Sequence, residues 1–204
     1  AAAVPQPSGA AATGTAASAA PPPAAVAPAS EQVVLTTDVM KATFDSTGGT
    51  LARLELTGYR DAADAQRPVV LFDRGPHRLY LAQSGLITGQ AGVPLPNHLS
   101  AMTVAPGDRT LAPGAATLTL RFESASLDGR KLIKTYTLER GKYTIGVKHE
   151  FINDSAQPVT PQLYLQLARD GNPPEGESSF YFTFTGPAIY TEAGKFHKID
   201  FKDI

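Results

Sequence analysis

The strongest constraint in this sequence is a period of two. Leu118, Leu120 and Phe122 alternate with Thr117, Thr119, Arg121 and Glu123. Asp128-Gly129 follows, and then Leu132, Lys134, Tyr136 and Leu138 share one parity. After Arg140-Gly141, Tyr143, Ile145, Val147, His149 and Phe151 alternate with Thr144, Gly146, Lys148 and Glu150. Successive side chains of a strand point to opposite faces, whereas helical neighbours recur three or four residues apart. The pattern therefore describes antiparallel strands with one buried face and one wet face. Asp-Gly is a strong signal for a tight hairpin turn. It predicts that residues 117–125 pair with residues 130–139.

The same alternation extends in both directions. Val34, Thr36, Asp38, Met40, Ala42 and Phe44 lie on one parity, with Met40 and Phe44 marking the inner face. Ser46-Thr47-Gly48-Gly49 reads as a turn, because glycine reaches positive φ without steric cost. Ala52, Leu54 and Leu56 then form the second arm of a hairpin. Val69–Phe72 is a short apolar run, and Leu79 and Leu81 alternate within Arg78–Gln83. Residues 85–116 are rich in Gly and Pro and read as long loops with one weak strand at Met102–Val104. Val159, Pro161, Leu163, Leu165 and Leu167 share a parity, and Phe180–Thr185 and Lys195–Phe201 are further strand candidates. Eight to eleven short strands, without a convincing long helix, predict an all-β antiparallel sandwich or barrel.

Composition divides the chain near residue 30. Residues 1–30 hold 14 Ala and 6 Pro and no charge. Such a segment cannot bury enough apolar surface to offset the entropy of ordering it. The expectation is a disordered Ala/Pro-rich linker with an r.m.s. span of about 30 Å, making few contacts and no sheet hydrogen bonds. Residues 31–204 form the body, long enough for a real core. The chain starts at Ala1 rather than Met, which suggests a processed product or an excised piece.

Several function classes fall away on composition. With 18 basic against 19 acidic residues the net charge is −1, which gives no surplus for gripping nucleic acid. The absence of Cys excludes disulfides, thiolate zinc sites, iron–sulfur clusters and cysteine nucleophiles. No run of 18 apolar residues is present to span a bilayer. The four histidines, His77, His98, His149 and His197, show no short chelating spacing. His149 sits on the apolar parity and reads as a core histidine with one hydrogen bond. His77 and His98 read as solvated loop residues. Ser84, before Gly85, lacks a Gly-x-Ser-x-Gly elbow and reads as a strand end. Gly48-Gly49 precedes a strand, not the helix N-terminus that would hold a phosphate. Glu175 and Glu177 read as solvated loop residues. The expectation is that no catalytic, cofactor or metal residue exists here, that no cofactor is used, that His149 is mostly buried and that the other histidines do not converge.

The order of the pieces carries a resemblance. Val33–Leu56, followed by Thr57-Gly58-Tyr59, resembles the opening of the large periplasmic domain of the YidC membrane protein insertases of Gram-negative bacteria. The similarity continues through Pro68–Phe72, Tyr80–Leu86, Lys134–Gly141, Tyr143–Val147, Gly186–Tyr190 and Lys198–Ile204, and so covers essentially all of 31–204. It implies a β-super-sandwich like that of galactose mutarotases, incomplete at its C-terminus. It also implies a first membrane span before the linker and a membrane core after the domain, neither of which is in this chain. Insertion is the work of that core, so no groove residue carries over. The implied role is non-catalytic, at the periplasmic face of the inner membrane, assisting insertion and folding of inner-membrane proteins. The implied partners are accessory subunits of the Sec translocon and nascent inner-membrane proteins.

The rival is a carbohydrate-binding or aldose-epimerase-like sandwich. Epimerisation needs a general acid and a general base on opposite sides of a sugar ring. His149 and Glu150 are adjacent on one strand, so they face opposite sides of the sheet. A truncated sandwich leaves open edges and uncovered apolar surface, expected here at Phe180–Thr185 and Lys195–Phe201. A version extended through the rest of the domain should melt higher and associate less. Equal melting temperatures, with both lengths monomeric by light scattering, would contradict this.

Overall fold

The computed structural model describes residues 30–75, 78–172 and 184–203. Twelve strands lie among them: β1 (Gln32–Thr36), β2 (Met40–Asp45), β3 (Thr50–Arg60), β4 (Pro68–Arg74), β5 (Leu79–Ile87), β6 (Met102–Val104), β7 (Thr117–Ser124), β8 (Arg130–Glu139), β9 (Ile145–Asn153), β10 (Gln162–Arg169), β11 (Ala188–Thr191) and β12 (Lys195–Lys198). A 3₁₀ turn at Phe201–Asp203 follows. The architecture is an antiparallel β-sandwich. One sheet has the order β1-β2-β3-β4-β5-β10, with β3 also touching β5. The facing sheet has the order β6-β7-β8-β9, and β11-β12 is a separate hairpin.

The period-two pattern places the core. Leu118, Leu120 and Phe122 of β7 and Leu132, Tyr136 and Leu138 of β8 are buried. They join Val33, Leu35, Met40, Ala42, Phe44, Leu51, Leu54 and Leu86 of the six-stranded sheet in one apolar cluster. Phe44 stands at its centre, with ring centroids 4.6 Å from Tyr136 and 6.2 Å from Phe122. The predicted pairing of β7 with β8 holds from Thr117↔Glu139 to Glu123↔Ile133. Asp128 and Gly129 take φ of 51° and 79°, the left-handed pair that matches a tight turn to the strand twist. Behind the turn, a Cβ on Gly129 would lie 2.9 Å from the Ser155 nitrogen, so a side chain there would have to displace backbone.

The N-terminal strand is two strands. The sequence pattern places Val34 and Phe44 on one parity of a single strand. Instead Val33 pairs with Phe44 and Leu35 with Ala42 across a β1–β2 hairpin. The reversal occurs at Thr37, whose amide donates to the Met40 carbonyl at 2.9 Å. Its hydroxyl accepts from the Met40 amide at 3.2 Å and the Val39 amide at 3.3 Å. A threonine hydroxyl thus does the work of a turn without the Gly or Pro that would announce it. Parity flips across the bend, so Val33 and Leu35 are buried while Val34 is exposed.

Other boundaries also differ. β5 runs on to Ile87, which makes Ser84 a mid-strand residue rather than a strand end. β12 is paired with β11, upstream of it in sequence, and Phe201 lies in the 3₁₀ turn. Residues 180–183 of the Phe180–Thr185 candidate lie outside the described residues, and Phe184 and Thr185 carry no strand. Of the expected linker only Ser30 is described; its hydroxyl lies 3.4 Å from an Asp45 carboxylate oxygen. The most exposed leucines of the main sheets stand on β10: Leu163, Leu165 and Leu167 are 49%, 68% and 62% exposed. They pair with Leu86, Ser84 and Ala82 of β5, so they share the sheet's inner face. The four-stranded sheet stops short of covering them.

Truncating Phe122, fully buried between the sheets, removes the ring that meets both Phe44 and Tyr136. Phe122→Ala is expected to lower unfolding free energy by about 3–5 kcal/mol. Urea unfolding followed by circular dichroism checks this; a loss below about 1 kcal/mol would mean that the two sheets are not packed through this ring.

Candidate functional site: a polar cluster under an open cleft

The apolar interface is interrupted at one place. Lys134 lies on the inward parity of β8, between Leu132 and Tyr136, and is fully buried. Its ammonium donates to the Gly48 carbonyl at 2.5 Å and to the Ser84 carbonyl at 2.7 Å. Tyr136, two residues on and hence on the same face, donates its hydroxyl to the Gly49 carbonyl at 2.6 Å. β8 thus sends two polar side chains into consecutive carbonyls of the β2–β3 turn, and one of them also reaches β5.

Two histidines approach the same lysine. His149 is the cross-strand partner of Lys134 on β9, and its Nε2 lies 2.7 Å from the Ser84 hydroxyl. Ser84 therefore meets the opposite sheet twice, through its carbonyl and through its side chain. His98 arrives from the loop between β5 and β6, with Nδ1 at 2.5 Å from the Tyr164 hydroxyl. Its backbone N–H donates to the same oxygen at 3.2 Å. Tyr164 pairs with Gly85 across the β5–β10 ladder. A Cβ at position 85 would stand 2.5 Å from the tyrosine hydroxyl and 2.7 Å from the Asn97 Cα. Only glycine leaves the phenol room to cross β5 and reach the loop.

The electrostatics follow from a cation held without an anion. Among the described residues no carboxylate pairs with Lys134, whose ammonium bonds the two carbonyls. Burial pushes its ammonium down to about 8 from the ordinary lysine value. Burial, and then the charge of Lys134, hold His98 and His149 below the usual imidazole range. Burial raises the Tyr136 phenol, and it raises the less buried Tyr164 phenol against the opposing His98 N–H. At neutral pH both imidazoles are therefore mainly neutral beside a mainly protonated lysine.

Beside this cluster the sandwich is open. A cleft of about 240 Å³ runs between β9 and the β5–β10 edge, walled by Leu51, Tyr136, Ile145, Val147, Leu165 and Leu167, with Ser84 on its lining. Ser84 and His149 make the contact that a nucleophile and its base would make. Ser84 is nonetheless buried in mid-strand, and no carboxylate among the described residues is seen to orient His149. The bond ties the two sheets at the mouth of the cleft. Among the described residues no three His, Asp or Glu side chains are placed to share a metal ion.

The sequence expectation for His149, one hydrogen bond from a core position, matches its bond to Ser84, although the residue is half-buried. His98 bonds Tyr164, which pairs with Gly85 and so lies on the sheet face opposite to the contact between Ser84 and His149. His98 is a half-buried partner of Tyr164, not a solvated loop residue. His197 lies on exposed β12, and His77 lies outside the described residues. Glu150 faces away from the cluster and pairs with Lys148 at 3.0 Å. Lys134 itself was the missed signal: a lysine set between two apolar residues of its own parity.

Lys134 makes stability depend on alkaline pH. Its folded value is depressed to about 8, so between there and about 10.4 the unfolded chain binds more protons. Stability therefore rises with pH through that window, by about 3 kcal/mol for this one group. Lys134→Met should abolish the increment. Urea unfolding of both proteins at pH 7 and pH 10 checks this, and an identical pH slope in the two would contradict the assignment.

Comparison with known proteins agrees with this fold. The family model described as the YidC periplasmic domain matches residues 32–204. A membrane protein insertase YidC of Janthinobacterium sp. (strain Marseille) is 47% identical over 176 residues, covering 86% of this chain and 30% of that protein. Its counterpart in Cupriavidus necator is 49% identical over 177 residues, covering 87% and 30%. That of Ralstonia nicotianae is 45% identical over 202 residues, covering 98% and 35%. The chain thus spans about a third of the length of these curated relatives. With the family model matching residues 32–204 and relatives at 45–49% identity over most of its length, the chain belongs to the family of the YidC periplasmic domain.

Proposed function

We propose that this chain is the non-catalytic periplasmic domain of a membrane protein insertase, held at the periplasmic face of the bacterial inner membrane. It assists the insertion and folding of inner-membrane proteins, alone or together with accessory subunits of the Sec translocon. Residues 1–30 serve as the linker and residues 31–204 as the working body. The observation that carries this reading is the match of the family model over 32–204, the whole body, beside relatives named as insertases.

The polar cluster supports a role without catalysis. Its members bond mainly to backbone carbonyls and to one another, which locks the sheets together rather than presenting groups to a substrate. Sugar epimerisation would need a carboxylate facing an imidazole across a ring, and Glu150 points away from His149.

Photo-crosslinking in the full-length insertase tests the proposal. A crosslinker placed at exposed Leu99, Tyr190 or Phe196 should trap Sec accessory subunits or a nascent membrane protein in cells. The absence of both from every exposed position, or a sugar-dependent change in amide NMR shifts around the cleft, would count against it.

A further inference from the structure

At the end of the sandwich away from the β2–β3 turn, three segments meet: the β1–β2 bend, the end of β3, and the connection from β8 to β9. Asp38, in the bend, holds the other two. Its backbone carbonyl accepts from the Thr57 hydroxyl at 3.3 Å, beside a bond from the Thr57 amide to the Val39 carbonyl at 3.1 Å. Its carboxylate accepts from the Gly141 amide at 3.0 and 3.1 Å. Two residues beyond each contact stands a tyrosine: Tyr59 on β3 and Tyr143 just before β9. One belongs to the six-stranded sheet and the other adjoins the facing sheet. Their rings meet edge to face, with centroids 5.7 Å apart. Their hydroxyl ends are near enough for Tyr59, after burial, to raise the Tyr143 phenol.

This contact is set apart from those of the other tyrosines. Tyr80 faces Phe72, Tyr136 faces Phe44 and Phe122, and Tyr164 faces His98. Among the described residues only Tyr59 and Tyr143 face one another. They are 53% and 46% exposed, so a small oxidant reaches both.

We infer that Tyr59 and Tyr143 form an oxidative cross-linking site, where a peroxide acting through a one-electron catalyst joins them as dityrosine. Each phenol gives up one electron and one proton. The two tyrosyl radicals form a carbon–carbon bond between ring positions ortho to their hydroxyls. The hydrogen on each of those carbons then moves to its phenolic oxygen, which restores both aromatic rings. The peroxide takes up the two electrons and two protons and leaves as two waters. Because the rings are already held together, coupling is intramolecular and outruns encounters in solution. The chain has no cysteine, so no disulfide can tie its sheets. The dityrosine bond ties them instead, closing a long loop of chain between β3 and β9.

Oxidation of this chain at high dilution with a haem peroxidase and hydrogen peroxide tests the site. The expected product is a monomer with dityrosine fluorescence, lighter than the starting chain by two hydrogen atoms. Trypsin should then release peptides 54–60 and 143–148 joined to one another, each of which holds a single tyrosine. Tyr59→Phe and Tyr143→Phe, with circular dichroism to confirm folding, should each lose the joined peptide, whereas Tyr190→Phe should keep it. Asp38→Ala should lower its yield severalfold. In urea, the cross-linked monomer should unfold at a higher midpoint than Tyr143→Phe treated in the same way. A wild-type chain that yields no joined peptide overturns the inference. So does dityrosine found only in dimers linked through Tyr190, which is 64% exposed. An unchanged yield in Asp38→Ala overturns the positioning by that residue, and equal urea midpoints overturn the tie between the sheets.

Discussion

A buried ammonium with three protons and no anion must find acceptors, and in this sandwich the acceptors belong to the other sheet. Lys134 reaches both the β2–β3 turn and β5, so one side chain fixes two parts of the six-stranded sheet against β8. Apolar contacts alone are non-directional and tolerate sliding. Hydrogen bonds to particular carbonyls do not, because a shifted sheet would leave a desolvated charge and two desolvated carbonyls without partners. Tyr136 repeats the device one carbonyl further along. The hydrophobic cluster supplies the adhesion between the sheets, and the polar cluster sets their registration.

The same lysine explains the chemical character of its neighbours. Burial, and after it the positive charge of Lys134, hold His98 and His149 below the usual imidazole range. Neutral imidazoles can accept from, or donate to, Tyr164 and Ser84 without bringing further charge into the interface. The cluster joins the two sheets with residues that elsewhere perform acid–base work, and it does so beside the cleft.

Much of the fold was legible because half-buried antiparallel strands advertise themselves at every second residue. The β7–β8–β9 meander was readable for this reason, and Asp128-Gly129 fixed where it turned. The β1–β2 hairpin was not, because Thr37 makes its bend with a hydroxyl and leaves an unbroken run of strand-forming residues. Strand β11 was hidden for a different reason: its four residues are exposed on both faces, so no alternation exists to be read. The candidate site lay further out of reach. Lys134, Ser84 and His149 come from three separate strands, and only the closing of one sheet on the other brings Ser84 to the other two. The family resemblance supplied the architecture that period and turn chemistry alone left open.

The position of β10 has a consequence for the order in which the molecule assembles. β1 to β5 follow one another in sequence and pair mainly with near neighbours, and β6 to β9 do the same in the facing sheet. β10 alone returns to the first sheet, and its contact between Leu163 and Leu86 closes a loop that contains the whole second sheet. The entropy of closing that loop falls only if the intervening residues have already collapsed into their meander. During synthesis from the N-terminus, the first sheet must therefore wait with β5 unpaired on one side until the second sheet has formed. Among the described strands of the two sheets β10 is the last in sequence, and its unbroken ladder to β5, from Gln162↔Ile87 to Arg169↔Tyr80, ties the first sheet to a chain that has already passed through the second.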